Sequence, residues 1–271
     1  MWVRGTGRKL DLSSFPWLDG PVGGTEEIGK DFFTDYGRLR GLNVVRVGSR
    51  GLLQDIGVLT NPCIDGRHVS DAVRAFYEQT SEYELDAWSE WRGFFRPFGI
   101  ALAKLFSRRL QQLNLPLSSL DSSKGISSDV LQLCDPRSGE VLQTAWIRQL
   151  RSTGNILYAA SYSVCQAPGF NGNCIKVVFP LPNGNAIVIM KPEVDVDGSL
   201  SVISAGQKFG DPGFYFTVHD GHGRVWARYV RSMKEVIKVY VDGPHTVRAD
   251  HHLWIWGQQF LRLHYRMRRQ T

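Results

Sequence analysis

Along the chain, the apolar positions change period near residue 130. Before that point they recur at helical intervals: Ile28, Phe32, Tyr36 and Leu39 fall at i, i+4, i+8 and i+11. Thr25 would cap that helix, Glu26 and Glu27 suit its first turn, and Gly41 would close it. Residues 43–47 and 52–59 read as short strands around the glycines at 48 and 51, and Val69-Ser70-Asp71 opens another helix. After residue 130 the period is two. Turn pairs recur at Ser138-Gly139, Thr153-Gly154, Asn171-Gly172, Asn183-Gly184, Asp197-Gly198, Asp220-Gly221 and Asp242-Gly243, a spacing that separates consecutive antiparallel strands. Ile156, Tyr158, Ala160, Tyr162 and Val164 share one strand face. Over 253–268, read as a single strand, Leu253, Ile255, Leu261, Leu263, Tyr265 and Met267 take one side. Arg262, His264, Arg266 and Arg268 take the other, solvent-facing side.

About nine strands in up-and-down order exceed what a flat open sheet usually carries, so strong curvature or closure into a barrel is expected. The fold class is α+β: a helix-rich N-terminal segment, 1–130, packed on or plugging a C-terminal antiparallel β-meander, 131–271, within one integrated fold. The alternation leaves one sheet face heavily apolar. Helices must cover that face, or it must wrap around a cavity.

Between these halves lies FYEQTSEYELDAWSEWRGFF (76–95), with seven aromatics and five acids in twenty positions. As one helix from Ser70 to Trp91, it would align Glu78, Glu82, Asp86 and Glu90 as a self-repelling stripe. Tyr77, Glu84, Trp88, Trp91 and Phe95 would form a second stripe, enclosing one carboxylate among rings, where a raised pKa suits a general acid or base. The alternative reading breaks the helix at Thr80-Ser81. There Ser81 and Glu84 fit a capping box, and the acids are accounted for without function. The segment 98–112 reads as a further helix, apolar at first and basic later, suited to the core, to lidding a cavity or to peripheral contact with a membrane surface.

The bulk properties narrow the function classes. With 271 residues and 42% apolar content the chain can build a substantial core. Cys63, Cys134, Cys165 and Cys174 are dispersed and match neither a disulfide framework nor a zinc site. His219-Asp220-Gly221-His222 and Asp250-His251-His252 bring ligand types close together but match no known metal spacing. No nucleophile elbow, dinucleotide fingerprint or phosphate-binding loop occurs, so no cofactor is called for. The net charge of +6 is modest, and nucleic acid is disfavoured as a partner. The N-terminus does not read as a secretory signal, and the longest apolar run, 98–106, contains Lys104 and is far short of a membrane span, so the default compartment is the cytoplasm.

The function expected is binding of a small hydrophobic molecule, lipid-like or polyketide-like, or cofactor-independent catalysis on one, in an apolar, aromatic-lined cavity. The sequence does not decide between these two. Glu78, Glu84 and Asp86 are candidate acids or bases, with Tyr77 or Tyr83 as hydrogen-bond donor. Tyr83, Trp88, Trp91, Phe95, Phe214 and Tyr215 are candidate ligand contacts, the last two from the turn FGDPGFYF (209–216). The alternative is an interaction protein whose basic face meets an acidic partner or a membrane surface.

Overall fold

A computed structural model describes residues 2–24, 28–62, 64–92, 126–151, 154, 156–220 and 222–270. The strands among them are β1 (Arg8–Leu10), β2 (Asn43–Val45), β3 (Tyr83–Trp91), β4 (Ile126–Cys134), β5 (Val141–Leu150), β6 (Ile156–Gln166) and β7 (Asn173–Leu181). There follow β8 (Gly184–Val194), β9 (Leu200–Ser204), β10 (Phe214–His219), β11 (Val225–Tyr229), β12 (Met233–Gly243), β13 (Thr246–Ile255) and β14 (Gln258–Arg269). Strands β3 to β9 pair in sequence order, β9 pairs with β12, β12 to β14 follow in order, and β14 returns to β3. The result is a closed, ten-stranded antiparallel barrel. Strand β8 serves two sheets: Gly184–Val188 bonds β10, which continues through β11 to β1 outside the ring, while residues 191–194 bond β9.

Several of the expected turns close hairpins of this meander, among them Ser138-Gly139 and Asp197-Gly198, with Gly139 and Gly198 at φ of 74° and 78°. One turn escaped the period-two reading. Trp256 and Gly257 take φ of 50° and 79°, and this left-handed pair splits the long C-terminal segment into the hairpin β13–β14.

The helical content is lower than expected, which corrects the helix-rich reading of the N-terminal part. Among the described residues the α-helices are α1 (Trp2–Thr6), α2 (Phe32–Arg40) and α3 (Asp71–Glu78). Helix α2 ends as expected at Gly41, whose φ of 67° only glycine adopts without strain. Thr25, Glu26 and Glu27 lie outside the described residues, as does the segment 98–112. The strand expected over 52–59 is replaced by a 3-10 turn, Ile56–Leu59, because Asp55 caps it by accepting from the Gly57 amide at 2.7 Å.

The larger correction concerns residues 70–91. Helix α3 stops at Glu78, a 3-10 turn follows, and 83–91 is the barrel strand β3. The Ser81 hydroxyl accepts from the Arg50 amide at 2.9 Å rather than capping a second helix. Tertiary pairing overrides the helical spacing here. In β3, Tyr83, Leu85 and Ala87 turn inward, while Glu84, Asp86, Trp88 and Glu90 turn outward. They lie opposite Arg268, Arg266, His264 and Arg262 of β14. Asp86 binds Arg266 at 2.8 Å, and Glu82, just before the strand, binds Arg269 at 2.7 Å. The acids that would repel one another along a helix are spent on a basic partner strand.

Three apolar clusters hold the barrel. The lumen cluster draws inward-facing residues from all ten barrel strands, and Val73, Phe76 and Tyr77 of α3 plug one end of it. Outside the wall, Phe33 of α2 and Ile28 cover Leu131, Leu133, Ala145, Ile147 and Ala159. The segment 10–18 covers Cys174, Val178, Ile187, Ile189 and Tyr215. The N-terminal part therefore both packs on the sheet and plugs it. Because α2 seals the outer face of β5, that strand is buried on both sides.

The charge match between β3 and β14 is testable. Reversing one partner, with Asp86→Lys or Arg266→Asp, should destabilise the fold by about 1 kcal/mol, and the double swap should recover much of that loss. Chemical denaturation in a double-mutant cycle reads the coupling, expected near 0.5 kcal/mol for this partly exposed pair.

Candidate functional site

Inside the barrel, alternation should place apolar side chains, yet strands β5, β6, β12, β13 and β14 bring a polar group together there. Arg148 of β5 lies directly across from Tyr158 of β6, next to the Trp146–Ala160 pair. Its guanidinium carbon stands 3.6 Å from the ring centroid of Trp146, 4.8 Å from Tyr158 and 5.1 Å from Tyr265. Strand β14, which carries Tyr265, is three strands round the wall from β5. The arginine therefore reaches into the lumen rather than lying along its own strand.

Further donors and acceptors frame this arginine. The Trp146 indole donates to the Ser128 hydroxyl on β4. Tyr158 and Tyr162 share the inward face of β6, and the Trp146 ring meets them at 6.1 and 5.8 Å. His251 of β13 stacks on Tyr265 at 6.3 Å and 29°, and its Nε2 lies 3.0 Å from Glu235 Oε2 on β12. Glu235 faces Ser204 of β9 in register. Burial pushes the Tyr162 phenol up to about 12 and raises those of Tyr158 and Tyr265 against the lowering influence of Arg148. These phenols are neutral donors at any physiological pH.

The cluster has an unbalanced hydrogen-bond inventory. Arg148 is 5% exposed, and no carboxylate lies within ion-pair distance of it among the described residues. Its Nε, the hydroxyl of Ser204 and the indole nitrogen of Trp91 are buried without a hydrogen-bond partner. A buried donor left so costs roughly 1–3 kcal/mol, more when charged. Stacking on three rings offsets part of the burial of the cation, but the ring faces accept no hydrogen bond of ordinary strength. Two surface hollows, of about 160 and 210 Å³, lie on the outer side of the wall near Lys176 and Arg46 and do not involve this cluster. Among the described residues no group of three His, Cys, Asp or Glu is placed to hold a metal.

The residues singled out from sequence are scattered by this architecture. Tyr77, Tyr83 and Phe214 belong to the lumen cluster, Phe76 meeting Tyr77 and Tyr83 edge to face at 5.4 Å. Trp91 lies on the inward side of β3 and meets Phe260 at 6.3 Å. Glu78 sits at the rim of the plug, where its carboxylate accepts from the Ile56 amide at 2.8 Å and faces Arg74 at 3.6 Å. Glu84, Asp86 and Trp88 are on the outer wall, Trp88 lying beneath Arg266, so the carboxylate enclosed by rings does not form. Tyr215, on the opposite side of β10 from Phe214, is fully buried in the outer cluster between Trp17 and Tyr229. Phe95 lies outside the described residues.

Sequence reasoning placed Tyr158 and Tyr162 on one face and Tyr265 on another, weighed His251 only as a metal ligand, and passed over Arg148 and Glu235. The signal was present as a charged or titratable residue in phase with apolar neighbours, Arg148 with Trp146 and Leu150, His251 with Ala249 and Val247.

The neutral phenols make alkaline stability a direct readout. A phenol raised in the fold keeps its proton while the unfolded chain, near 10.0, loses it, so stability from burial is intact below pH 10 and falls as pH rises towards about 12. In a spectrophotometric titration, the tyrosinate signal of Tyr158, Tyr162 and Tyr265 should appear together with loss of the folded circular dichroism spectrum. Ionisation of these phenols in a still folded chain would contradict their placement.

Comparison with known proteins gives little to set beside this geometry. No family model and no solved structure matches the chain. It is 27% identical over 244 residues to the uncharacterized membrane protein YndJ of Bacillus subtilis (strain 168), a match covering 89% of this chain. The chain spans about two fifths of that relative, 41% of its length, and no helix among the described residues is long and apolar enough to cross a membrane.

Proposed function

We propose that this protein binds a small hydrophobic molecule, lipid-like or polyketide-like, in the barrel lumen, either to hold it or to act on it without a cofactor. One observation carries the reading: a closed barrel places a cation, three phenols and a Glu–His pair on inward positions that stability alone would fill with apolar side chains. Ten strands enclose a wider lumen than the eight that side chains can just fill. Ala87 and Ala249 flank Tyr265 in register and Ala160 lies across from Trp146, so small side chains border the large ones on lumen-facing positions. If chemistry occurs there, Glu235 and His251 are the pair placed to move a proton, with the phenols as donors to a developing negative charge. A relative named a membrane protein accords with a ligand drawn from lipid, at a site that meets the membrane peripherally.

The alternative, an interaction protein with a basic face, is less well supported. Its arginines on β14 face acids on β3, and Arg266 and Arg269 are bound to Asp86 and Glu82. That outer wall also lacks the apolar band of a strand that crosses lipid.

Native mass spectrometry of the purified chain, before and after incubation with long-chain amphiphiles, tests the proposal. A one-to-one adduct is expected, lost on denaturation and released as a hydrophobic small molecule. A bare chain under both conditions would overturn the lumen as a binding site.

A further inference from the structure

We infer that the occupant of the lumen carries a carboxylate head and that Arg148 anchors it. The inference rests on the lumen reading above and names the ligand class. The groups left unpaired on inward positions of the barrel strands, the Arg148 Nε, the Trp91 indole N–H and the Ser204 hydroxyl, can all donate, while the unpaired acceptor on β5, the Gln143 amide oxygen, lies on the outer face. What they lack is an acceptor, and the strongest acceptor for a guanidinium fork is a carboxylate or phosphate oxygen.

The charge arithmetic selects between those two. Glu235 is bonded to His251 at 3.0 Å, and among the described residues no carboxylate lies within ion-pair distance of the guanidinium. One cation balances a monoanion, whereas a phosphate monoester near pH 7 brings close to two negative charges. The surroundings select the rest of the molecule. Trp146, Tyr158 and Tyr265 shield the guanidinium, and the lumen beyond is lined by Leu85, Ile175, Val177, Val188, Met190 and Val202. A polar head held by donors within an apolar tube fits an amphiphile with an acyl or polyketide chain. The Tyr265 ring, 5.1 Å from the guanidinium carbon and backed by the His251 ring, is a positioning residue that holds the guanidinium across the lumen.

The test compares a long-chain fatty acid, the primary alcohol of the same chain length and the corresponding alkyl phosphate, each displacing an uncharged fluorescent amphiphile from the full chain. The acid should bind about tenfold to a hundredfold more tightly than the alcohol. Arg148→Met, which keeps the side chain's length and apolar stem, should erase that preference, so that this variant binds acid and alcohol within about threefold of each other. Arg148→Lys, which retains the charge without the fork, should keep part of the preference and serves where the Met variant does not fold. Equal binding of acid and alcohol by the wild-type chain, or an undiminished preference in Arg148→Met, would overturn the anchor and leave lumen binding standing. Tighter binding of the phosphate than of the acid would overturn the choice of head group. Failure of all three amphiphiles to displace the probe would remove the lumen reading and this inference together.

Discussion

Everything else in this structure depends on the pairing of β3 with β14. It joins residues 83–91 to residues 261–269 and closes the meander into a ring. Backbone hydrogen bonds supply the connection, but they fix neither partner nor register. The side chains do that: Glu84, Asp86 and Glu90 of β3 face Arg268, Arg266 and Arg262 of β14, while the intervening positions are mostly apolar, among them Leu85, Ala87, Leu263, Tyr265 and Met267. A slip of one residue would send the charges into the lumen and the apolar side chains to solvent, an error too costly for the fold to tolerate. The same pairing carries Tyr265 to the side of the lumen that Arg148 can reach.

A closed barrel must still fill its inside. Here the filling is of two kinds. Helix α3 enters from one end with Val73, Phe76 and Tyr77, an ordinary apolar plug. Further along, the wall carries an arginine, three phenols, a carboxylate and an imidazole, and burying them costs stability unless each finds a partner. Some do: Glu235 has His251, and the Trp146 indole has Ser128. The arginine is met by ring faces, which is a weak settlement for a full charge. A core optimised for stability alone would replace such a group, and its presence is the physical basis for placing function in the lumen.

Much of the β architecture was legible in the sequence, because turn dipeptides and period-two alternation are local signals. What was not legible depended on partners distant in the chain. Residues 70–91 follow helical spacing closely enough to mislead, and only the opposing pattern of β14, some 180 residues away, makes 83–91 a strand. Trp256-Gly257 went unread because tryptophan is rarely found at a left-handed position. The candidate site suffered from a different blindness. On β5 both faces are buried, since α2 covers the outer one, so alternation says nothing about which of Ile147 and Arg148 turns inward. The dense acids of 82–90 drew attention, and they proved to be the outer half of a charge ladder, while the polar residues of the lumen were spread in ones and twos over five strands.

The ring also sets a timetable for folding. The edge that β3 offers has no lasting partner on one side until residues 258–269 have been synthesised and the β13–β14 hairpin has turned back to meet it. Strands β4 to β8 can zip up as neighbouring hairpins in the meantime, but the closing contacts span most of the chain, and such contacts form late and slowly. During that interval β3 shows an open row of amides and carbonyls and an apolar inner face, the combination that invites pairing with another molecule. Glu84, Asp86 and Glu90 are then the nascent chain's protection. A row of like charges along an unpaired edge repels a second copy of itself and waits for the one strand in the chain that carries the opposite sign.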